Sequence, residues 1–237
     1  QAFKLIFRHA VLASRAIIVP SNFVKEQLLD MYPQARKKVS VIYEAPTIEK
    51  SQIPNPKSQT NSTFYILNSK FILYIGSAYP HKNLVRLLEA WMLVRKALPD
   101  CKLILVGRED FFWQKLKMQN AECRMQNVIF YGSATDDELA ALYKNAALLV
   151  QPSLEEGFSL PPLEALAQGC PVAVSDIPVH HEILQNAAFY FDPQNAPAMS
   201  ATIKEALTNQ AQSSRTLDQA KLILPRYSWQ KHALQTR

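Results

Sequence analysis

Gln151-Pro152-Ser153-Leu154-Glu155-Glu156-Gly157-Phe158-Ser159-Leu160-Pro161-Pro162-Leu163-Glu164-Ala165-Leu166-Ala167-Gln168-Gly169-Cys170-Pro171-Val172 holds a strand end, a loop, a helix and the next strand's start. The apolar run 147–150 stops at Gln151. A helix is then expected from Ser159 to Pro162 onward. Ser159 is a capping residue type, and proline is tolerated in a first turn whose N–H groups lack partners anyway. Gly169 stands where that helix should stop and fits a C-terminal cap. The amides of Phe158, Ser159 and Leu160 would converge with the positive end of the helix dipole. That is an anion seat suited to a diphosphate.

Two carboxylates flank the seat: Glu156 before the turn and Glu164 inside the helix. An ionised carboxylate accepts hydrogen bonds and donates none. It repels a diphosphate, so its targets are neighbouring hydroxyls, such as a ribose or sugar diol. A structural reading stands beside this one: Glu164 complements the helix dipole and Glu156 is merely solvated.

Outward from this stretch the same rhythm recurs. Strands are expected at 16–19, 39–43, 71–75, 102–106, 128–131, 147–150, 171–174 and 188–191. Helices are expected at 22–31, 84–97, 110–120, 136–145, 161–168 and 196–207. Alternation of this kind implies an α/β fold: a Rossmann-like parallel sheet with helices on both faces. The runs Ile72-Leu73-Tyr74-Ile75 and Leu103-Ile104-Leu105-Val106 are apolar at every position, as burial on both faces requires. Gly76, Gly107 and Gly132 each end a strand at the carboxyl edge, where such sheets bind ligands. Tight turning explains any one of them; three at one edge point to a crevice.

The segment 45–70 breaks the rhythm with Pro46, Pro54 and Pro56 among polar residues and reads as a linker. Residues 1–45 hold two strands and one helix, too little for a separate core. They are expected to be the tail of a preceding domain, with 46–69 as linker and 70–237 as the main domain with C-terminal helices.

The 237 residues are 48% apolar and 19% charged, enough to bury a core. No apolar run reaches the ~18 residues that span a bilayer. The start, Gln1-Ala2-Phe3-Lys4, lacks the layout of a signal peptide and a Met, as a processed or excised end would. Cys101, Cys123 and Cys170 are odd in number and widely spaced, which argues against a disulfide framework or structural zinc and for a reducing cytosol. A net charge of +6 suits an anionic partner: a nucleotide diphosphate, an acidic membrane surface or nucleic acid. No zinc-finger or basic-zipper spacing supports nucleic acid. No Gly-x-Gly-x-x-Gly follows a strand, which disfavours a dehydrogenase.

Glu156-Gly157-Phe158-Ser159-Leu160-Pro161-Pro162-Leu163-Glu164-Ala165 resembles the Glu-x7-Glu signature of retaining GT-B glycosyltransferases, nearest the group often called family 4. The likeness extends to Tyr74-Ile75-Gly76-Ser77 with Pro80-His81-Lys82-Asn83, to Val106-Gly107-Arg108, to Tyr131-Gly132 and to Ser175-Asp176-Ile177-Pro178. It covers roughly residues 69–193. The resemblance implies that this is the C-terminal, donor-binding half of such an enzyme, with residues 1–45 left from the acceptor domain. Glu164 would hold the ribose hydroxyls, and Glu156 would contact the donor sugar or its neighbourhood, as a catalytic residue alongside Lys82 or as a positioner. The backbone of Gly157, Phe158, Ser159 and Leu160 would meet the diphosphate. Lys82 would neutralise the leaving phosphate, near the Gly76-Ser77 loop. Gly132 and Ser133 would touch the base. Arg108 either faces phosphate or sugar, or pairs with Glu109 or Asp110.

Many relatives carry an arginine where Ser77 stands, and Ser159 replaces a common glycine. Lys82 also has a bottom-up argument: a cation just before a helix opposes its dipole, and a nearby anion would make the placement favourable. His180 and His181 read as surface or capping residues. Trp91, Phe111, Phe112 and Trp113 read as core or groove packing.

The implied reaction transfers a hexose from a nucleotide diphosphate sugar to a hydroxyl acceptor, a glycan or lipid-linked intermediate, with retention. No cofactor or metal is implied. The Pro80-His81-Lys82-Asn83 loop puts GDP-mannose ahead of a UDP-hexose as donor. The location is cytoplasmic, with peripheral membrane contact compatible with the charge. The rival reading is a nucleotide-sugar binding module, or one subunit of a split enzyme whose partner chain brings the N-terminal domain. An exposed apolar face near residues 1–12 would favour the split form.

Overall fold

A computed structural model of the chain describes residues 2–47, 69–122, 125 and 127–236. Most of the expected linker, and Cys123, lie outside the described residues. The main body is a six-stranded parallel sheet. Its strands are β3 (Phe71–Ile75), β4 (Lys102–Val106), β5 (Val128–Gly132), β6 (Leu148–Gln151), β7 (Val172–Ser175) and β8 (Phe189–Phe191). Their order across the sheet is β5-β4-β3-β6-β7-β8. The chain therefore builds outward from β3 in one direction and then returns to β3's other side with β6. That reversal leaves a crevice at the carboxyl ends of β3 and β6.

The apolar runs split their side chains by the strand period of two. Phe71, Leu73, Ile104, Val106 and Leu149 enter one core. Ile72, Tyr74, Leu103, Leu105, Leu148 and Val150 enter the other. On the second face lie α3 (Leu84–Ala97) and α8 (Ala196–Thr208). α3 buries Leu84, Leu87, Leu88, Trp91 and Val94, a single helical stripe. On the first face lie α5 (Asp136–Asn145), α6 (Leu160–Ala167), α7 (Pro178–Leu184) and α9 (Gln210–Ile223), which place Tyr143, Leu163, Ile183 and Ile223 in that core. α4 (Phe111–Glu122) buries Trp113 and Leu116, and α10 (Trp229–Thr236) ends the described chain. α5 carries a full capping box between Thr135 and Glu138.

The opening segment comprises α1 (Ala2–Ala13), β1 (Ile17–Val19), α2 (Asn22–Met31) and β2 (Val39–Val41). β1 and β2 pair in parallel as a separate two-stranded sheet. The sequence reading denied this segment a core, yet Val11, Val19, Leu28, Ala35 and Val39 form a small one. α1 lacked a clear stop or start signal and was not anticipated. Its Leu5, Ile6 and Leu12 are exposed.

The strand-end glycines are packed against one another. The Gly76 amide donates to Val106 O and the Gly107 amide to Gly132 O. A Cβ on Gly107 would stand 2.0 Å from the Gly76 carbonyl oxygen, so only glycine fits there.

Candidate functional site

The crevice is floored by the loops after β3 and β6. After β3, Pro80–Lys82 forms one 3-10 turn, and Asn83 takes a left-handed conformation to start α3. The Asn83 amide group donates to the carbonyls of Pro152 and Pro193, at 3.0 and 2.8 Å. The Leu154 amide donates to His81 O. The two loops are thus fastened together, and Lys82 reaches Glu156.

Lys82 Nζ lies 2.8 Å from both Glu156 carboxylate oxygens. Gln151 Nε2 and Ser153 Oγ donate to the same carboxylate at 3.0 and 2.8 Å. The Glu156 side chain is only 9% exposed, so the solvated reading of this residue is overturned. Burial alone would raise its pKa; the Lys82 charge and the hydrogen bonds from Lys82, Ser153 and Gln151 outweigh that and hold it below the ordinary value. The same contact answers the question posed by Lys82. A cation next to a helix start is tolerated because a fixed anion faces it.

α6 begins where the sequence placed it. Pro161 and Pro162 stand in its first turn and carry no N–H. Among the described residues, none accepts a hydrogen bond from the amides of Phe158, Ser159 or Leu160. Open donors at a helix start are the anion-binding arrangement. The Phe158 ring itself is buried against Tyr43 and Tyr227, at centroid distances of 6.1 and 5.8 Å. Only its backbone can meet a ligand.

Ser159 corrects one expectation. It occupies the N-cap position in a left-handed conformation, and its side chain makes no capping bond. Its hydroxyl instead lies 3.2 Å from His180 Nε2. His180 corrects another: it is fully buried, whereas only His181 is exposed, paired with Asp176 at 2.6 Å. His180 Nδ1 lies 2.8 Å from Ser175 O, which only accepts, so Nδ1 carries the proton and Nε2 accepts from Ser159. The β-branched and apolar neighbours around 180 in sequence carried no signal that the ring turns inward beneath α6.

Burial pushes the His180 pKa down to about 4. The folded value lies below the ordinary 6.5, so the unfolded chain binds a proton that the native one refuses between those limits. Stability should therefore fall as pH drops through that window, by ~1.4 kcal/mol per unit at most from this group. Chemical denaturation from pH 7 to 4 should show a steeper loss in the wild type than in His180→Gln. Parallel slopes would contradict the assignment.

Glu164 sits in α6 past its first turn. Its carboxylate accepts from the Tyr143 hydroxyl at 2.8 Å and from the Thr47 amide at 3.3 Å. Burial and the adjacent Glu164 charge push the Tyr143 phenol well above its ordinary value, so it stays a donor. Glu164 and Glu156 thus have separate partners. A cavity of about 290 Å³ beside Glu156 is lined by Val24, Gln27, His81, Glu155 and Gly157, and Glu164 is not in its wall. The structure joins Lys82 to Glu156 and Ser159 to His180; it does not join Glu164 to either pair.

Of the other residues singled out, Ser77 is half-buried and its carbonyl accepts from the Tyr74 hydroxyl at 2.6 Å. Gly132 ends β5 and Ser133 is exposed beside it. Arg108 is exposed. Its expected partners are engaged elsewhere: Glu109 with Lys117, and Asp110 with the Trp113 amide. Trp91 and Trp113 are core residues, whereas Phe111 is 72% exposed. Among the described residues no group of three or more His, Cys, Asp and Glu side chains could hold a metal ion. No described helix is long and apolar enough to cross a membrane.

A parallel sheet with a reversal crevice, a helix start with open amides and a lysine at the edge define an α/β protein with a candidate anion site at the carboxyl edge of its sheet. Residues 59–222 match the family model for glycosyl transferases group 1, and the chain belongs to that family. It is 31% identical over 204 residues to the O-antigen chain mannosyltransferase RfbU of Salmonella typhimurium, covering 85% of this chain and 54% of that protein. It is 34% identical over 178 residues to the O-antigen chain mannosyltransferase B of Escherichia coli, covering 70% of this chain and 44% of that one. The chain thus spans about half the length of these curated relatives. The fold matches a sucrose-phosphate synthase from Thermosynechococcus elongatus with a TM-score of 0.80 at 22% identity, over 100% of this chain and 60% of that one. The architecture is that of GT-B glycosyltransferases.

Proposed function

We propose that the protein to which this chain belongs is a retaining glycosyltransferase of the family 4 type, and that this chain supplies its donor-binding half. It transfers a hexose from a nucleotide diphosphate sugar to a hydroxyl of a glycan or lipid-linked acceptor in polysaccharide or glycolipid synthesis. Mannose from GDP-mannose is the first donor to test, because two relatives are named O-antigen mannosyltransferases; a UDP-hexose is next. The observation that carries the reading is the lysine–carboxylate pair beside the open amides of Phe158, Ser159 and Leu160 at the sheet's reversal point.

The physical sequence is short. The donor diphosphate takes the amides and draws Lys82 toward its oxygens. Negative charge grows on the leaving diphosphate as the sugar–oxygen bond breaks, and donors already aimed there lower the barrier. Glu156, relieved of part of its ion pair, faces the sugar hydroxyls. Glu164 keeps Tyr143 on one oxygen and offers the other, weakly held by Thr47, to the ribose diol. Arg108, exposed at the same edge, and the backbone around Gly76, Ser77, Gly132 and Ser133 complete the nucleotide contacts. The exposed apolar face of α1 is explained equally by a covering half on the same chain or on another, and so favours neither arrangement. Cytoplasmic residence follows from the use of a nucleotide-sugar donor, and the net charge of +6 is compatible with contact at an acidic membrane face.

Calorimetry with GDP, UDP and ADP identifies the base. With the nucleotide that binds, Glu164→Ala should weaken affinity by about 1–3 kcal/mol, the worth of lost hydrogen bonds to a charged acceptor. Tyr143→Phe keeps the ring and removes only the hydroxyl that donates to Glu164, and it should leave affinity nearly unchanged. Equal losses in both variants would mean that Glu164 acts only through Tyr143.

A further inference from the structure

α2 is held from the other side of the molecule. Its first-turn amides need partners that the helix cannot provide. The Asn22 and Phe23 amides donate to Glu182 of α7 at 2.7 and 2.9 Å. The Val24 amide donates to Ser21 Oγ at 3.2 Å, and that hydroxyl donates to Gly157 O at 2.7 Å. The Asn22 side chain and the Tyr43 hydroxyl add bonds to Glu182 at 3.0 and 2.9 Å. Glu182 therefore accepts four hydrogen bonds from the opening segment, and its charge sits at the positive end of α2. Ser21 is fully buried, and its bond ends on the residue next to Glu156. The contrast with α6 is direct: the start of α2 is sealed by protein, while the start of α6 is open.

The consequence lies along α2. Val24 and Gln27 line the cavity together with His81, Glu155, Glu156 and Gly157. Nothing but the contacts at the start of α2 ties those two residues to the Glu156 loop by hydrogen bonds among the described residues. We infer that Glu182 is a positioning residue for sugar transfer: by capping α2 it holds Gln27 and Val24 at a fixed distance from Glu156, so that the Gln27 amide faces the hydroxyls of a sugar ring in that cavity. This rests on the proposed transfer reaction. Glu182 does not itself touch the donor or acceptor, and its tie to the Phe158 segment is indirect, through the Tyr43 hydroxyl it holds and the Tyr43 ring packed on the Phe158 ring.

The test uses the full-length protein, with Glu182→Ala and the conservative Glu182→Gln, which keeps one acceptor oxygen. Amide hydrogen exchange in α2, calorimetric GDP affinity and GDP-mannose turnover are measured together. In Glu182→Ala, exchange at residues 22–29 should rise about tenfold or more, while α8 exchange is unchanged. Turnover number should fall about tenfold or more with GDP affinity and donor KM within about twofold of wild type. Glu182→Gln should recover part of both losses. Unchanged α2 exchange overturns the inference, as does unchanged turnover, or a KM and GDP affinity that decline together with turnover. A wild type that binds GDP, UDP and ADP not at all would instead defeat the transfer reading; α2 exchange in Glu182→Ala would then still decide whether the clamp exists.

Discussion

Lys82→Met should lower the turnover number of the full-length enzyme by about 10²–10³-fold, the scale on which a fixed charge at a developing anion acts. Lys82 is the one cation among the described residues with an ion pair to Glu156. Removing it does two things. In the proposed reaction it strips positive charge from the place where the leaving diphosphate would become more negative. It also leaves a carboxylate that is only 9% exposed without its counter-ion, which should destabilise the fold by about 3 kcal/mol. The two effects separate in the double variant Lys82→Met with Glu156→Gln. A neutral amide at 156 can still accept from Ser153 and needs no cation, so most of the stability should return while turnover stays low. Thermal midpoints and single-turnover rates on the same samples check this. A double variant that regains activity would show that the pair is structural and that the diphosphate is neutralised elsewhere.

Gly107→Ala should cost about 3 kcal/mol or more of stability and abolish high-affinity nucleotide binding. A new Cβ would meet the Gly76 carbonyl oxygen at 2.0 Å and Trp113 Cζ3 at 3.0 Å. The first obstacle is backbone at the end of β3, and it cannot turn aside as a flexible side chain can. Overpacking of this kind usually costs 1–3 kcal/mol when side chains can adjust, so ~3 is a lower figure for backbone against backbone. The relief available is to part the ends of β3 and β4, which is the crevice floor itself. Gly132→Ala is the control. Its Cβ would have no heavy atom within 4 Å, and φ is +84°, so the cost is local strain of about 1 kcal/mol. Denaturant midpoints of the two variants should differ accordingly. A Gly107 variant no weaker than the Gly132 variant would mean that the strand ends are looser than the fold requires.

Much of this architecture was legible because burial on both faces leaves a plain mark. β3 is apolar at every position and β4 at every position after Lys102, and both strands occupy the ranges read from the sequence, as do α2, α3 and α5. The start of α6 was legible from its prolines. What the sequence could not show was direction. Ser159 has the composition of a cap, but its left-handed backbone turns the hydroxyl toward His180 instead. His180 and His181 are adjacent and alike in sequence; the helix period puts one in the core and the other in water. Glu156 read as a carboxylate awaiting a hydroxyl, because nothing in the spacing reveals that Lys82, 74 residues earlier, closes on it. The Glu182 contacts with α2 span about 160 residues and lie beyond any local pattern. Phe111 was assigned to packing from its type alone and is exposed.

Backbone amide shifts during titration with GDP, and separately with GMP, probe the anion seat most directly. If the start of α6 binds a pyrophosphate, the Phe158, Ser159 and Leu160 resonances move together and saturate with GDP, and move far less with GMP, which lacks the second phosphate. Should GDP or UDP bind with those three amides unmoved while other sites respond, the diphosphate lies elsewhere and the account of this crevice is wrong.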